Sequence, residues 1–132
     1  MRSTPLVTGI QVRYGDLDTL GHVNNAVYLT YFELGRVSFF RKHFDSFNLD
    51  SVKFVLARAE LDFRKPITMD DPVVLETVLE SVGKTSFTFS HRLLSQDLKT
   101  EYCTGKIIAV YLGKSGKPET VPEELRKLVE VA

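Results

Sequence analysis

The sequence contains one cysteine, Cys103, in 132 residues. No intramolecular disulfide can form, so cysteine usage lends no support to a secreted protein. A lone thiol in a strand reads as a small half-buried side chain, since a nucleophile would need a neighbouring histidine. Neither sign of charge is in excess. Seventeen Lys+Arg balance seventeen Asp+Glu, which argues against a broad nucleic-acid-binding face. No window approaches the roughly 18 apolar residues that cross a bilayer. The opening "MRSTPLVTGIQ" lacks the apolar core and cleavage pattern of a signal peptide. No His/Cys/Asp/Glu cluster has metal-ligand spacing, and no cofactor is implied. No repeat, low-complexity run or linker divides the chain. These absences leave a cytoplasmic protein with no nucleic-acid partner, no membrane insertion and a single domain over residues 1–132.

The apolar pattern changes period along the chain. Leu6, Thr8, Ile10, Val12 and Tyr14 alternate with Val7, Gly9, Gln11 and Arg13, which predicts a first strand. Over 24–42 the spacing becomes helical: Val27, Tyr31, Leu34 and Phe39, with Tyr28, Phe32 and Phe40, form a wide apolar stripe. Asn24 or Asn25 is the expected N-cap, and Arg41, Lys42 and His43 suit the C-terminal end of the helix dipole. So apolar a helix in so short a chain belongs at the centre, with a sheet around it. Four more strands follow, over 55–63, 73–82, 85–94 and 101–112, separated by short turns. Pro122, Glu123 and Glu124 then open a short terminal helix. The predicted class is α+β, a five-stranded antiparallel sheet wrapped around one long central helix. Continuing such a sheet across a twofold axis is one way to protect its edges.

The stretch "DLDTLGHVNNAVY", residues 16–28, places acids, a glycine, a histidine and two asparagines just ahead of that helix. On spacing alone Asp18 starts a turn or caps the loop, and Asp16 is a solvated acid or a turn hydrogen-bond acceptor. Asn24 and Asn25 are first of all caps. Glu33, inside the helix, reads as a buried acid paired with Arg36 or Arg58. Gly35 costs roughly 1 kcal/mol against alanine in a helix interior, which close helix–sheet packing would explain. His91 interrupts the Phe87, Phe89, Leu93 face and reads as a satisfied core histidine. "GKTS" over 83–86 is not a phosphate loop, because Val78 stands where the earlier glycine would be required.

"VRYGDLDTLGHVNNAVYLTYFELGR", with "ARAELDFRKPI" and "VGKTSFTFSHRL" downstream, resembles the 4-hydroxybenzoyl-CoA thioesterase-like branch of the hotdog-fold acyl-CoA thioesterases. The resemblance implies a hotdog fold, association into homodimers and further into tetramers, and hydrolysis of an acyl-CoA to a free acid and CoA. CoA would then be part of the substrate rather than a cofactor. The family's catalytic aspartate falls on the second acid of D-x-D-x-x-G, which is Asp18, as base or nucleophile. The helix-start N–H of Asn25 would polarise the thioester carbonyl, as unpaired N–H groups at helix N-termini suit developing anions. His22 would order the loop or line the pocket, with direct chemistry as the sharper alternative. Asn24 and Tyr28 would contact substrate, and Glu33 is the rival catalytic acid by comparison with other hotdog lineages. For the CoA phosphates the resemblance offers Arg58, Arg64, Lys65 and Lys84, with Ser86 beside the pantetheine arm. Three other functions fit the same residues: an acyl-thioester hydratase or dehydratase using His22 with Glu33 or Asp18, an acyl-carrier-protein thioesterase, and a non-catalytic acyl-binding domain.

Overall fold

A computed structural model describes residues 2–44 and 53–130. β1 (Leu6–Ile10) is followed by a single 3-10 turn at Tyr14–Asp16 and by the long helix α1 (Val27–His43). Four strands follow, β2 (Phe54–Phe63), β3 (Val73–Val82), β4 (Ser86–Ser95) and β5 (Glu101–Tyr111), and then the helix α2 (Glu123–Glu130). The strands form one antiparallel sheet in the order β1-β3-β4-β5-β2. This is the expected hotdog arrangement, with α1 packed on one sheet face.

Period-2 patterning explains which face that is. Leu75, Thr77 and Leu79 of β3, Phe87, Phe89, His91 and Leu93 of β4, and Cys103, Ile107 and Ala109 of β5 are all buried. Against them α1 buries Tyr28, Tyr31, Phe32, Gly35, Arg36, Phe39 and Phe40. The aromatic rings meet mostly edge to face, as in Phe39–Phe89 at 5.2 Å and Phe87–Phe89 at 5.9 Å between centroids, the arrangement ring quadrupoles favour. Cys103 is fully buried rather than half-buried. Its place among apolar side chains pushes the thiol up to about 12, so it is inert.

Several expectations need correction. β1 ends at Ile10, and Tyr14 stands 84 % exposed in the 3-10 turn instead of extending the strand. The helix begins at Val27, three residues after Asn24, with Ala26 at the N-cap position and no side-chain cap. Asn24 instead closes a turn of its own: its Oδ1 accepts the Ala26 N–H at 2.9 Å and its carbonyl accepts the Val27 N–H at 2.9 Å. Glu33 is exposed, and so is Leu34. The buried face runs through Phe32, Gly35 and Arg36, so the intervening pair turns outward. Arg58 pairs with Glu60 on its own strand, not with Glu33.

The Gly35 expectation holds. A Cβ there would lie 2.3 Å from Thr77 Oγ1 and 2.4 Å from Leu75 Cδ2. Helix propensity alone predicts that Gly35→Ala gains roughly 1 kcal/mol. Both neighbours are fully buried and have nowhere to move, so overpacking, about 1–3 kcal/mol, outweighs it. A lower urea midpoint for Gly35→Ala, with an unchanged slope, is the expected result.

Candidate active site

The stretch 16–24 folds as a small hairpin ahead of α1. Leu17 and Val23 form a β-bridge, Asn24 donates its N–H to the Asp16 carbonyl at 2.8 Å, and Asp18 donates its N–H to the His22 carbonyl at 2.7 Å. Gly21, at φ +80°, supplies the left-handed residue that the tight return requires. The hairpin is fastened to the loop after β2: Val23 N–H donates to the Ile67 carbonyl at 2.9 Å, and His22 bridges Thr68. Asp71 in turn caps the Thr68 N–H at 2.8 Å.

At the hairpin tip the Asp18 carboxylate is exposed and half-occupied. Oδ1 accepts the Leu20 N–H at 2.9 Å and the His22 N–H at 3.1 Å, while Oδ2 accepts from no described protein group. One oxygen is therefore clamped by the backbone, and the other keeps its lone pairs for chemistry. A cavity of about 220 Å³ opens beside it, lined by Asp18, His22, Asn25, Tyr28, Phe63, Arg64 and Lys65, with Val23 and Pro66. At the helix start, Asn24, Ala26 and Val27 all have acceptors for their N–H groups, but Asn25 has none among the described residues. Asp18, with its unengaged oxygen, and Asn25, with its unmatched N–H, thus both line one cavity.

Tyr28 forms the apolar wall. It is buried, and its ring meets Phe63 edge to face at 5.0 Å. Burial raises the phenol above its ordinary range, so the group stays protonated. Arg64 and Lys65 supply positive charge at the rim. Arg64 is already engaged, with Nε 3.0 Å from Glu101 Oε1 and Nη2 3.3 Å from Thr104 Oγ1. Lys65 is exposed and has no ion pair among the described residues.

Arg58, Lys84 and Ser86 do not join this cavity. The row Phe63–Cys103–Leu93–Leu75 lies at the site end of the sheet, and the row Leu56–Ala109–Phe87–Val82 at the other. The six residue steps from Phe87 to Leu93 span roughly 20 Å. Lys84 and Ser86 flank the hairpin beyond that far row, where Lys84 also accepts the Val121 N–H. Within one chain they stand too far from Asp18 to share a compact ligand with it. Asn24 borders the site only through its turn, and Glu33 is absent from the cavity lining. No group of three or more His, Cys, Asp and Glu side chains among the described residues is placed to hold a metal ion.

The sequence reading did not single out Phe63, at the end of β2, which lines the cavity, and gave Tyr31 no polar partner. Asp16, read as a solvated acid or a turn hydrogen-bond acceptor, does accept the Arg13 N–H in its turn at 3.0 Å, but it is 2 % exposed and also accepts a 2.7 Å hydrogen bond from the Tyr31 hydroxyl. A tyrosine within an aromatic helix face needs a partner for its hydroxyl, and that was the available signal.

A 27 % identical relative over 100 residues, covering 74 % of this chain and 75 % of its own length, is an acyl-CoA thioester hydrolase (YbgC) of Escherichia coli. An acyl-acyl carrier protein thioesterase of Arabidopsis thaliana is 26 % identical over 122 residues, 89 % of this chain and 63 % of that one. Among solved structures, a thioesterase from Thermus thermophilus, crystallised in complex with coenzyme A and Zn, is 32 % identical. It superposes with a TM-score of 0.83 over 93 % of this chain and 90 % of that one. The model of the thioesterase-like superfamily matches residues 12–129, nearly the whole chain, and the chain belongs to that superfamily.

Proposed function

We propose that the protein is an acyl-CoA thioesterase, hydrolysing the thioester to a carboxylic acid and CoA, with Asp18 as the attacking or activating carboxylate. The observation that carries this reading is that Asp18, with one carboxylate oxygen unengaged, and Asn25, whose N–H has no acceptor among the described residues, border one cavity, and a carboxylate and a donor are what the reaction needs. Hydrolysis requires a base or nucleophile at the carbonyl carbon and a donor for the oxygen that becomes anionic. The thioester carbonyl lies with its oxygen toward Asn25 and its carbon toward Asp18. When the tetrahedral adduct collapses, the C–S bond breaks, the thiolate leaves as CoA and takes up the proton released from water. His22 serves by holding Asp18 Oδ1 through its backbone, and its ring borders the cavity.

The CoA phosphates reach the rim cations, of which Lys65 is the unpaired one. β2 is an exposed edge strand: Val55, Leu56 and Phe63 are each about half exposed, as is Leu34 on the nearby helix. A second copy of the chain covers that face, so the active species is a homodimer.

The test is thiol release from short, long and aromatic acyl-CoAs, run beside the matching acyl-pantetheines and with the mass in solution measured by sedimentation. Turnover of at least one acyl-CoA, weakened in KM when the nucleotide is removed, by a particle of twice the chain mass, is the expected result. Loss of enoyl-thioester absorbance without thiol release would replace hydrolysis by hydration. Tight binding without turnover would replace it by simple acyl binding.

A further inference from the structure

Of the two acids in D-x-D, the proposed reaction uses the exposed one, and the other is buried with both carboxylate oxygens engaged. Asp16 Oδ2 accepts the Tyr31 hydroxyl at 2.7 Å and the Arg13 backbone N–H at 3.0 Å, and Oδ1 accepts Arg13 Nη2 at 3.1 Å. Its backbone is bonded in both directions as well, N–H to the Arg13 carbonyl at 2.9 Å and carbonyl to the Asn24 N–H at 2.8 Å. One residue thus ties together the chain leaving β1, both stems of the Asp18 hairpin and the second turn of α1. Asp18 lies two residues beyond it on one stem. Asn25 adjoins its partner on the other. The Tyr31 ring also packs on Tyr28, a wall of the cavity, with centroids 6.4 Å apart.

We infer that Asp16, acting through the Tyr31 hydroxyl, is the positioning residue that fixes the Asp18 carboxylate against the Asn25 N–H. This rests on the function proposed above. An acid serving only its own turn would need the Arg13 N–H and nothing more. Burying a carboxylate costs free energy that apolar packing would avoid, so its retention beneath a site is better explained by the geometry it imposes. The Asp16–Tyr31 bond is the side-chain hydrogen bond that joins the hairpin stem to α1 across fifteen residues. Without it the hairpin remains attached through its own ladder and through Ile67, but its angle to the helix start is no longer set.

The experiment compares Tyr31→Phe, Asp16→Ala and the double variant for kcat and KM on the best acyl-CoA, with thermal melts in parallel. A displacement of about 1 Å in an active site costs about 100-fold. Each single variant is expected to lose at least tenfold in kcat with little change in KM, and the double variant to lose no more than the worse single, because both remove one link. A role in stability alone predicts lower melting temperatures with kcat intact at assay temperature, and that result overturns the inference. Losses that multiply in the double variant overturn it too. If Asp16→Ala does not fold, Tyr31→Phe, which is isosteric save for one oxygen, still decides. Asp18→Asn is assayed alongside. If it is active, the underlying mechanism fails. If it is inactive while Tyr31→Phe and Asp16→Ala match the parent, only the positioning role fails.

Discussion

Asp18→Asn is expected to fold like the parent and to lose about 10²–10⁴-fold in kcat, the range that a positioned proton-transfer group supplies. The structure separates the two halves of this expectation. Oδ1 is the oxygen with a structural task, accepting the N–H groups of Leu20 and His22. An asparagine carbonyl oxygen accepts the same two bonds at the same place, so the hairpin keeps its turn. Oδ2, which no described protein group engages, becomes an NH2 group that can neither attack a carbonyl nor take a proton from water. Because the carboxylate is exposed, its removal leaves no buried partner unsatisfied. The melting temperature should stay at the parent value while thiol release collapses. A fully active Asp18→Asn would remove Asp18 from the mechanism. Asp18→Ala is the informative contrast, because it frees both N–H groups and should cost stability as well as rate. Single-turnover hydrolysis in ¹⁸O-water separates nucleophile from base. Attack by the carboxylate makes a mixed anhydride, and its hydrolysis can leave ¹⁸O in the peptide carrying Asp18. General-base catalysis puts the label only in the released acid.

How far the sequence was legible depended on the range of the interactions concerned. Strand positions were readable because alternation of apolar residues is local, and β2, β3, β4 and β5 lie within a residue or two of expectation. The helix start was misplaced because asparagine favours turns and caps for the same reason, a short side chain that bonds nearby N–H groups. Here Asn24 spends its oxygen on Ala26, inside a turn preceding the helix. Glu33 was misread because a broad aromatic stripe leaves its boundary undefined, and Gly35 and Arg36 extend it on the other side. Lys84 and Ser86 were carried over from a resemblance, which reports motif positions but not their distance across a sheet. Asp16 was only half legible: a turn hydrogen bond, here from the Arg13 N–H, was expected, its burial was not. Its burial depends on a tyrosine fifteen residues away, and no local pattern distinguishes it from Asp18 two residues on. The family resemblance pointed to the second acid; the fold adds that this acid is exposed and that Asp16 is the buried one.

Acidification from pH 6.5 to pH 5 is expected to destabilise the protein by about 2 kcal/mol through His91 alone, before the carboxylates titrate. His91 lies beneath α1 at 1 % exposure, its ring stacked on Phe32 with centroids 4.6 Å apart. Arg36 can only donate, so His91 Nε2 accepts from its Nη1 at 3.3 Å, and Nδ1–H is left to donate to Thr77 Oγ1 at 3.2 Å. That assignment requires the neutral imidazole. Burial, and then the adjacent Arg36 cation, lower the pKa from the ordinary 6.5 to about 3. The unfolded chain therefore takes up a proton at pH values where the folded chain does not. Stability is fully present above pH 6.5 and declines at about 1.4 kcal/mol per unit as pH falls toward 3. His43 is shifted in the same direction by burial and adds to the slope. Asp16 and Glu80, with depressed carboxyls, contribute losses only below their ordinary values of 3.8 and 4.5, which leaves the window from 6.5 to 5 to the histidines. Urea midpoints across that window measure the slope, and His91→Gln isolates its source. Glutamine offers an acceptor to Arg36 and a donor to Thr77 but does not titrate, so it should flatten the profile. His91→Phe should instead lower stability at every pH, because it strands Arg36, whose Nε already has no partner among the described residues. An unchanged slope in His91→Gln would show that the acid sensitivity arises elsewhere.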